Sequence, residues 1–227
     1  QCFKIVNPQP KAPSAVKVGI PGGQFGEPVA LEGREIEEII AGFVRAVRIC
    51  KEVGFTGVQI HGAHGYLISQ FLSPRTNIRE DEWGGSLENR ARLLLDIIRG
   101  SREAVGPDFP ITVKLNSADF QKGGFAFEDS VKVVGWLEEL GVDLIEVSGG
   151  TYEQPKLLGI EGMEPAEDQN VKSSTAAREA YFVDFAKTMK EACKVPLMVT
   201  GGFRSKAAME QALESGAADL IGLGRPL

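Results

Sequence analysis

The sequence predicts an α/β fold built on a parallel sheet, and three observations carry that prediction. One arrangement recurs along the chain: an amphipathic stretch of helical period, a glycine, then a short run rich in β-branched residues. The apolar runs, at about 57–60, 111–115, 143–147, 197–200 and 218–223, are nearly continuous rather than alternating, which is how strands covered on both faces read. Polar residues gather just after those runs: His61 and His64, Asn116 to Asp119, Ser148 to Gly150, Gly201 to Arg204, and Gly224 with Arg225. Helices alternating with strands imply right-handed βαβ units. About five such units fit either an open doubly wound sheet or part of an eight-stranded barrel, and periodicity alone does not choose between them.

The elements follow in order. The chain opens in a Pro-rich stretch, "FKIVNPQPKAPSAVKVGIPGG", with no initiating Met, and this start is expected of a fragment. "EIEEIIAGFVRAVRICKEVGFTGVQI" is the first helix–strand unit, and "FEDSVKVVGWLEELGVDLIEV" and "SKAAMEQALESGAADLIGL" repeat it. Gly54, Gly141 and Gly216 stand where a helix end wants a left-handed residue. Two further units end in Pro before their strands, "VGPDFPITVKL" and "ACKVPLMVT". The irregular stretch from about 149 to 172 is expected to be a loop at the mouth of the site. Residues 1–227 are expected to form one domain, with no low-complexity linker.

Composition narrows the function. A net charge of −6 opposes a nucleic-acid-binding surface. No apolar run is long enough to span a bilayer, so neither nucleic acid nor membrane is an expected partner. Three well-separated cysteines, Cys2, Cys50 and Cys193, suit free thiols in a reducing compartment, with the cytoplasm as the default.

Several short motifs carry chemistry. "VTGGFRS" and "GLGRPL" each set Gly beside a strand end and each bring an Arg. Gly201, Gly202 and Gly224 would let backbone N–H groups approach a phosphate closely, while Arg204 and Arg225 would add charge-assisted bonds. Each Gly alone could simply turn the chain; two successive Gly/Arg strand ends favour phosphate. His61 and His64, the only histidines, lie three positions apart with Tyr66 two further on. A zinc site would need a third ligand that neither a Cys nor another His supplies. Paired donors gripping one substrate oxygen fit better, with the Tyr66 phenol as proton donor. Lys114 interrupts the apolar strand "ITVKLNSADF". It reads either as one half of an interior salt bridge or as a fixed cation on the floor of a pocket. In "SPRTNIREDEWGGSLENRARLLLDIIRG", Ser86 is expected to cap a helix, Glu88 and Glu103 to face solvent, and Arg90 and Arg92 to pair locally.

The stretch "GFTGVQIHGAHGYLISQFLSPRTNIREDEWGGSLENRARLL" resembles the signature of the Old Yellow Enzyme family of FMN-dependent NADH:flavin oxidoreductases and ene-reductases. The strand with Lys114, "IEVSGG" and the terminal "GGFR…GLGRP" fall in the family's order, so the resemblance covers nearly the whole chain. It implies a TIM (β/α)8 barrel carrying FMN at its C-terminal mouth and reduced by NADH or NADPH. His61 and His64 then bind the activating oxygen of a small enone-like substrate. Tyr66 matches the residue that protonates the substrate α-carbon after hydride leaves flavin N5 for the β-carbon. Lys114 falls where the family has a cation beside the flavin pyrimidine. Gly201, Gly202, Arg204, Gly224 and Arg225 match the phosphate end.

Two departures stand out. Many family members have Asn in place of the second histidine, and the cation is commonly Arg, whose bidentate fork Lys lacks. About five strands are also fewer than eight, and the opening "QCFKIVNPQP" resembles the stretch after the family's third strand. The chain is therefore expected to be the C-terminal part of the barrel. Its first and last strands would be open edges, apolar on both faces and prone to homo-oligomeric association. A half-barrel that binds phosphate or nothing, without turnover, is the alternative reading.

Overall fold

The computed structural model describes residues 3–19, 23–151, 175–201, 203 and 205–224. Two short strands, β1 (Lys11–Ala12) and β2 (Val29–Ala30), pair in parallel near the start. Then follow α1 (Gly33–Glu52), β3 (Val58–Gly62), α2 (Leu67–Leu72), α3 (Leu87–Val105), β4 (Ile111–Asn116), α4 (Phe127–Glu139), β5 (Leu144–Ser148), α5 (Thr175–Ala192), β6 (Leu197–Thr200), α6 (Lys206–Glu214) and β7 (Leu220–Gly222).

Strands β3 to β7 form one parallel sheet in the order β3-β4-β5-β6-β7. That order decides between the two architectures. A doubly wound sheet reverses its strand order at a switch point, whereas a barrel adds each strand next to the last. The five strands are a consecutive arc of a (β/α) barrel, with β3 and β7 at its edges.

Local chemistry sets the helix limits as the sequence predicts. Gly54, Gly141 and Gly216 follow α1, α4 and α6 with φ of 90°, 74° and 71°, which only glycine adopts without strain. Ser86 caps α3 by accepting from the Asn89 N–H at 3.3 Å, and Glu88 and Glu103 are exposed.

The two faces of the sheet differ. Ile60, Val113, Ile145 and Leu197 point toward the helices and are buried with Leu94, Ile97, Ile98, Val133 and Leu137. The alternate residues carry Gln59, His61, Thr112, Lys114, Glu146 and Met198, and most of these are only partly covered. The expectation of edge strands apolar on both faces is therefore corrected for β3, whose second face presents Gln59 and His61. A barrel strand turns one row of side chains to the helices and the next to the interior. In this sheet the interior row is polar where ligands are handled.

Candidate active site at the strand ends

β3 runs further than the sequence suggests, because the ladder continues through His61 and Gly62 opposite Lys114 and Leu115. His61 thus lies within the strand rather than after it. The register then carries one row across the sheet: His61 beside Lys114, Lys114 beside Glu146, Glu146 beside Met198, and Met198 beside Leu220. Lys114 Nζ donates to Glu146 Oε1 at 2.8 Å, so the interior ion pair considered for Lys114 is present. Glu146 is 4% exposed. Burial pushes its carboxyl up, but the bond from Lys114, a bond from Thr200, the Lys114 charge and a bond from Gln59 together outweigh this and hold it below the ordinary carboxylate range.

His64 follows β3 in a left-handed backbone conformation, φ 62°. An Asn116 contact supports that unfavourable geometry: the His64 N–H donates to Asn116 Oδ1 at 3.1 Å. Asn116 in turn donates to Asp119 Oδ1 at 3.1 Å and to the Gly150 carbonyl at 3.0 Å. Burial pushes the Asp119 carboxyl up, although it accepts from the Phe125 N–H at 2.9 Å. The His64 ring reaches β5, with Nε2 2.6 Å from Ser148 Oγ.

The three aromatic rings named from the sequence come together. His61 and His64 meet edge-on with centroids 5.2 Å apart, and His61 and Tyr66 are also 5.2 Å apart. Tyr66 stands at the N-terminus of α2 and is 38% exposed. Burial, followed by the Lys114 charge, lowers the pKa of both histidines, with Glu146 opposing; His64 falls to about 4. Both rings are neutral at pH 7, and each therefore has one N–H to donate and one nitrogen to accept.

The segment after α2 is structural. Arg90 is buried, and its charged partner is Asp129 of α4 rather than the local one expected. It donates to the Leu72 carbonyl, to the Gly85 carbonyl at 3.2 Å and to Asp129 at 3.2 Å. Asn77 donates to the Phe71 and Trp83 carbonyls, both at 2.8 Å. These bonds satisfy the last carbonyls of α2, a short helix with few internal bonds, and so hold the element that presents Tyr66. Arg92 does bond locally, to the Glu82 carbonyl at 2.7 Å and Asn89 Oδ1 at 2.8 Å.

The expected phosphate end lies at β6 and β7. A Cβ at Gly222 would fall 2.0 Å from Thr200 Oγ1, while at Gly201 and Gly224 a Cβ would meet nothing within 4 Å. Gly201 has φ 102°. Bare backbone with open space beside it, on the barrel end that carries a lysine and two neutral imidazoles, suits a phosphate-bearing flavin. Gly202, Arg204 and Arg225 lie outside the described residues, as does all but residues 149–151 of the mouth loop expected from about 149 to 172. Among the described residues no group of three His, Cys, Asp or Glu side chains is placed to hold a metal ion.

Ser148 and Asn116 are the functional neighbours that sequence reasoning missed. Both lie among the polar strand ends already noted, but nothing in the spacing says that they meet His64 from two other strands.

Fold and site together define an arc of a (β/α) barrel with a cluster of polar and titratable groups at the C-terminal ends of its parallel strands. Residues 4–227 match the NADH:flavin oxidoreductase / NADH oxidase family, and the chain belongs to it. FMN, with NAD(P)H as electron donor, is the cofactor pair of this family. The chain is 43% identical over 220 residues to the NADH-dependent flavin oxidoreductase iliE of Hypocrea jecorina, covering 96% of this chain and 51% of that protein. It is 39% identical to an NADH oxidase of Thermoanaerobacter brockii, covering 96% of this chain and 31% of that one. Among solved structures, 2-naphthoyl-CoA reductase in complex with 2-naphthoyl-CoA matches with a TM-score of 0.83 and 31% identity, over 96% of this chain and 31% of that one. Histamine dehydrogenase from Rhizobium sp. 4-9 matches with a TM-score of 0.75 and 30% identity, over 96% and 30%. This chain thus spans between about a third and about half of these relatives.

Proposed function

We propose that the chain forms the substrate-facing part of an NAD(P)H-dependent flavin oxidoreductase that reduces an activated C=C bond of an enone-like small molecule. The convergence of His61, His64 and Tyr66 beside Lys114 carries this reading. Bound FMN, reduced by NAD(P)H, supplies hydride chemistry at this site. Lys114 would lie against it as the fixed cation, and Gly201, Gly202, Arg204, Gly224 and Arg225 would hold its phosphate end.

The protein's own groups do the rest. Neutral His61 and His64 each donate an N–H to the substrate oxygen and draw charge toward it. For His64 the contact to Ser148 sets the tautomer: if Nε2 accepts from the Ser148 hydroxyl, Nδ1 carries the proton and is the donor. The Tyr66 phenol gives its proton to the substrate α-carbon.

The similarity to a reductase holding an aryl thioester supports an unsaturated carbonyl compound as substrate. Free thiols at Cys50 and Cys193 support a reducing compartment, the cytoplasm. No described helix is long and apolar enough to cross a membrane.

The test is anaerobic reduction of cyclohexenone by the flavin-loaded, NADPH- or NADH-reduced protein, beside binding of a phenol. Turnover of the enone, and phenol binding lost in the His61→Ala/His64→Ala double variant, are expected. Phenol affinity unchanged in that variant would remove the histidines from the site.

A further inference from the structure

Glu146 has no place in the chemistry above, yet it is the one charged residue of β5, an acid on the interior face of the barrel. It is buried to 4% exposure, and its bond to Lys114 is 2.8 Å long. Lys114 lies directly beside His61 in the adjoining strand, so the two charges and the two imidazoles stand in one sequence of neighbours. Burying an ion pair costs desolvation that its attraction barely offsets, and two apolar residues would serve stability as well. Its presence at this row therefore calls for a role in the site.

We propose that Glu146 is the positioning residue of this site: it fixes the Lys114 ammonium in the row and balances its charge against His61 and His64. This rests on the reading of His61 and His64 as ligand donors. The groups that face the imidazoles are Lys114 from β4, Glu146 from β5, the neighbouring histidine from β3 and its loop, and Tyr66 from the start of α2; β6 contributes no titratable group to the row. With Lys114 paired and both rings neutral, the row as a whole carries no net charge at pH 7. Such a row suits an uncharged substrate oxygen, a carbonyl, in preference to a carboxylate. The full lysine charge, without Glu146, would attract a carboxylate and push the imidazoles further from protonation.

The experiment follows the two histidines, the only ones in the chain, by 15N-detected NMR titration of the protein without added cofactor. In E146Q the His61 midpoint is expected to fall. In K114M it rises, because the charge that depresses it is gone. The E146Q/K114M double variant lies between the two, and E146D, which keeps the charge, stays nearest the parent. Circular dichroism checks that each variant is folded; should E146Q not fold, K114M and the double variant read the same coupling. Midpoints of both histidines that stay put in folded variants would overturn the proposal. Midpoints that move as stated, in a protein whose histidines bind no phenol, would instead defeat the ligand reading and leave the role of Glu146 in place.

Discussion

The two faces of β3, β4 and β5 are made from alternate residues of the same strands, yet they behave as different materials. Toward the helices, Ile60, Val113, Ile145 and Val147 are buried in a continuous apolar layer. Toward the barrel interior, His61, Lys114 and Glu146 form a charged and polar row, each in register with the next. One face supplies the burial that folds the chain, at roughly 25 cal/mol per Å² of apolar surface removed from water. The other spends part of that gain on desolvated polar groups, which are costly unless paired. The difference teaches that the site is supported from behind: the imidazoles are held by strands whose opposite faces cannot move without opening the core.

The sharpest way to break this comparison is chemical. Tyr66→Phe, in the flavin-loaded protein, is expected to slow enone reduction by about 10²–10⁴-fold, the usual worth of a general acid, while leaving the core intact. Flavin reduction by NAD(P)H should be nearly unchanged, since the phenol proton is needed only by the substrate. Stopped-flow measurement of the two half-reactions checks this, and equal slowing of both would deny Tyr66 its role.

A core truncation should do the reverse. Ile145→Ala, between the interior residues Leu144 and Glu146, is expected to cost about 2–5 kcal/mol by leaving a cavity. Thr112→Ala on the interior face loses one hydrogen bond to the Val58 carbonyl and should cost less, about 0.5–1.5 kcal/mol. Urea midpoints measure both; similar losses from the two would mean that the faces are not divided as described.

Ser148→Ala sharpens the comparison at the site itself. It removes one neutral hydrogen bond from His64 Nε2, worth about 0.5–1.5 kcal/mol. Phenol affinity should weaken by about 2- to 10-fold, with little change in the urea midpoint.

The smallest effect expected is a pH slope. His64 titrates at about 4 in the folded chain against 6.5 unexposed to these neighbours, so between those values the unfolded chain binds more protons. The stabilisation is complete above pH 6.5 and is lost as the pH falls toward 4. His64→Gln should flatten the part of the stability profile in that window. Because the ring is partly exposed, solvent screening keeps the slope shallow.

Much of this molecule was legible in the sequence because the relevant signals are local. Helix ends were marked by Gly54, Gly141 and Gly216, since a left-handed residue is demanded by the backbone of one turn. The strands were marked by apolar runs, and His61, His64 and Tyr66 by their spacing within one segment. What only the tertiary structure decided was pairing across strands. The sequential strand order made the sheet a barrel arc, which no periodicity encodes. The meeting of Lys114 with Glu146, of His64 with Ser148 and Asn116, and of Arg90 with Asp129 joins residues 32, 84, 52 and 39 positions apart. A side chain's own sequence neighbours set its conformation, but its protonation and its partners are set by whatever the sheet register brings beside it. That register is fixed by the packing of the whole sheet rather than by any one strand.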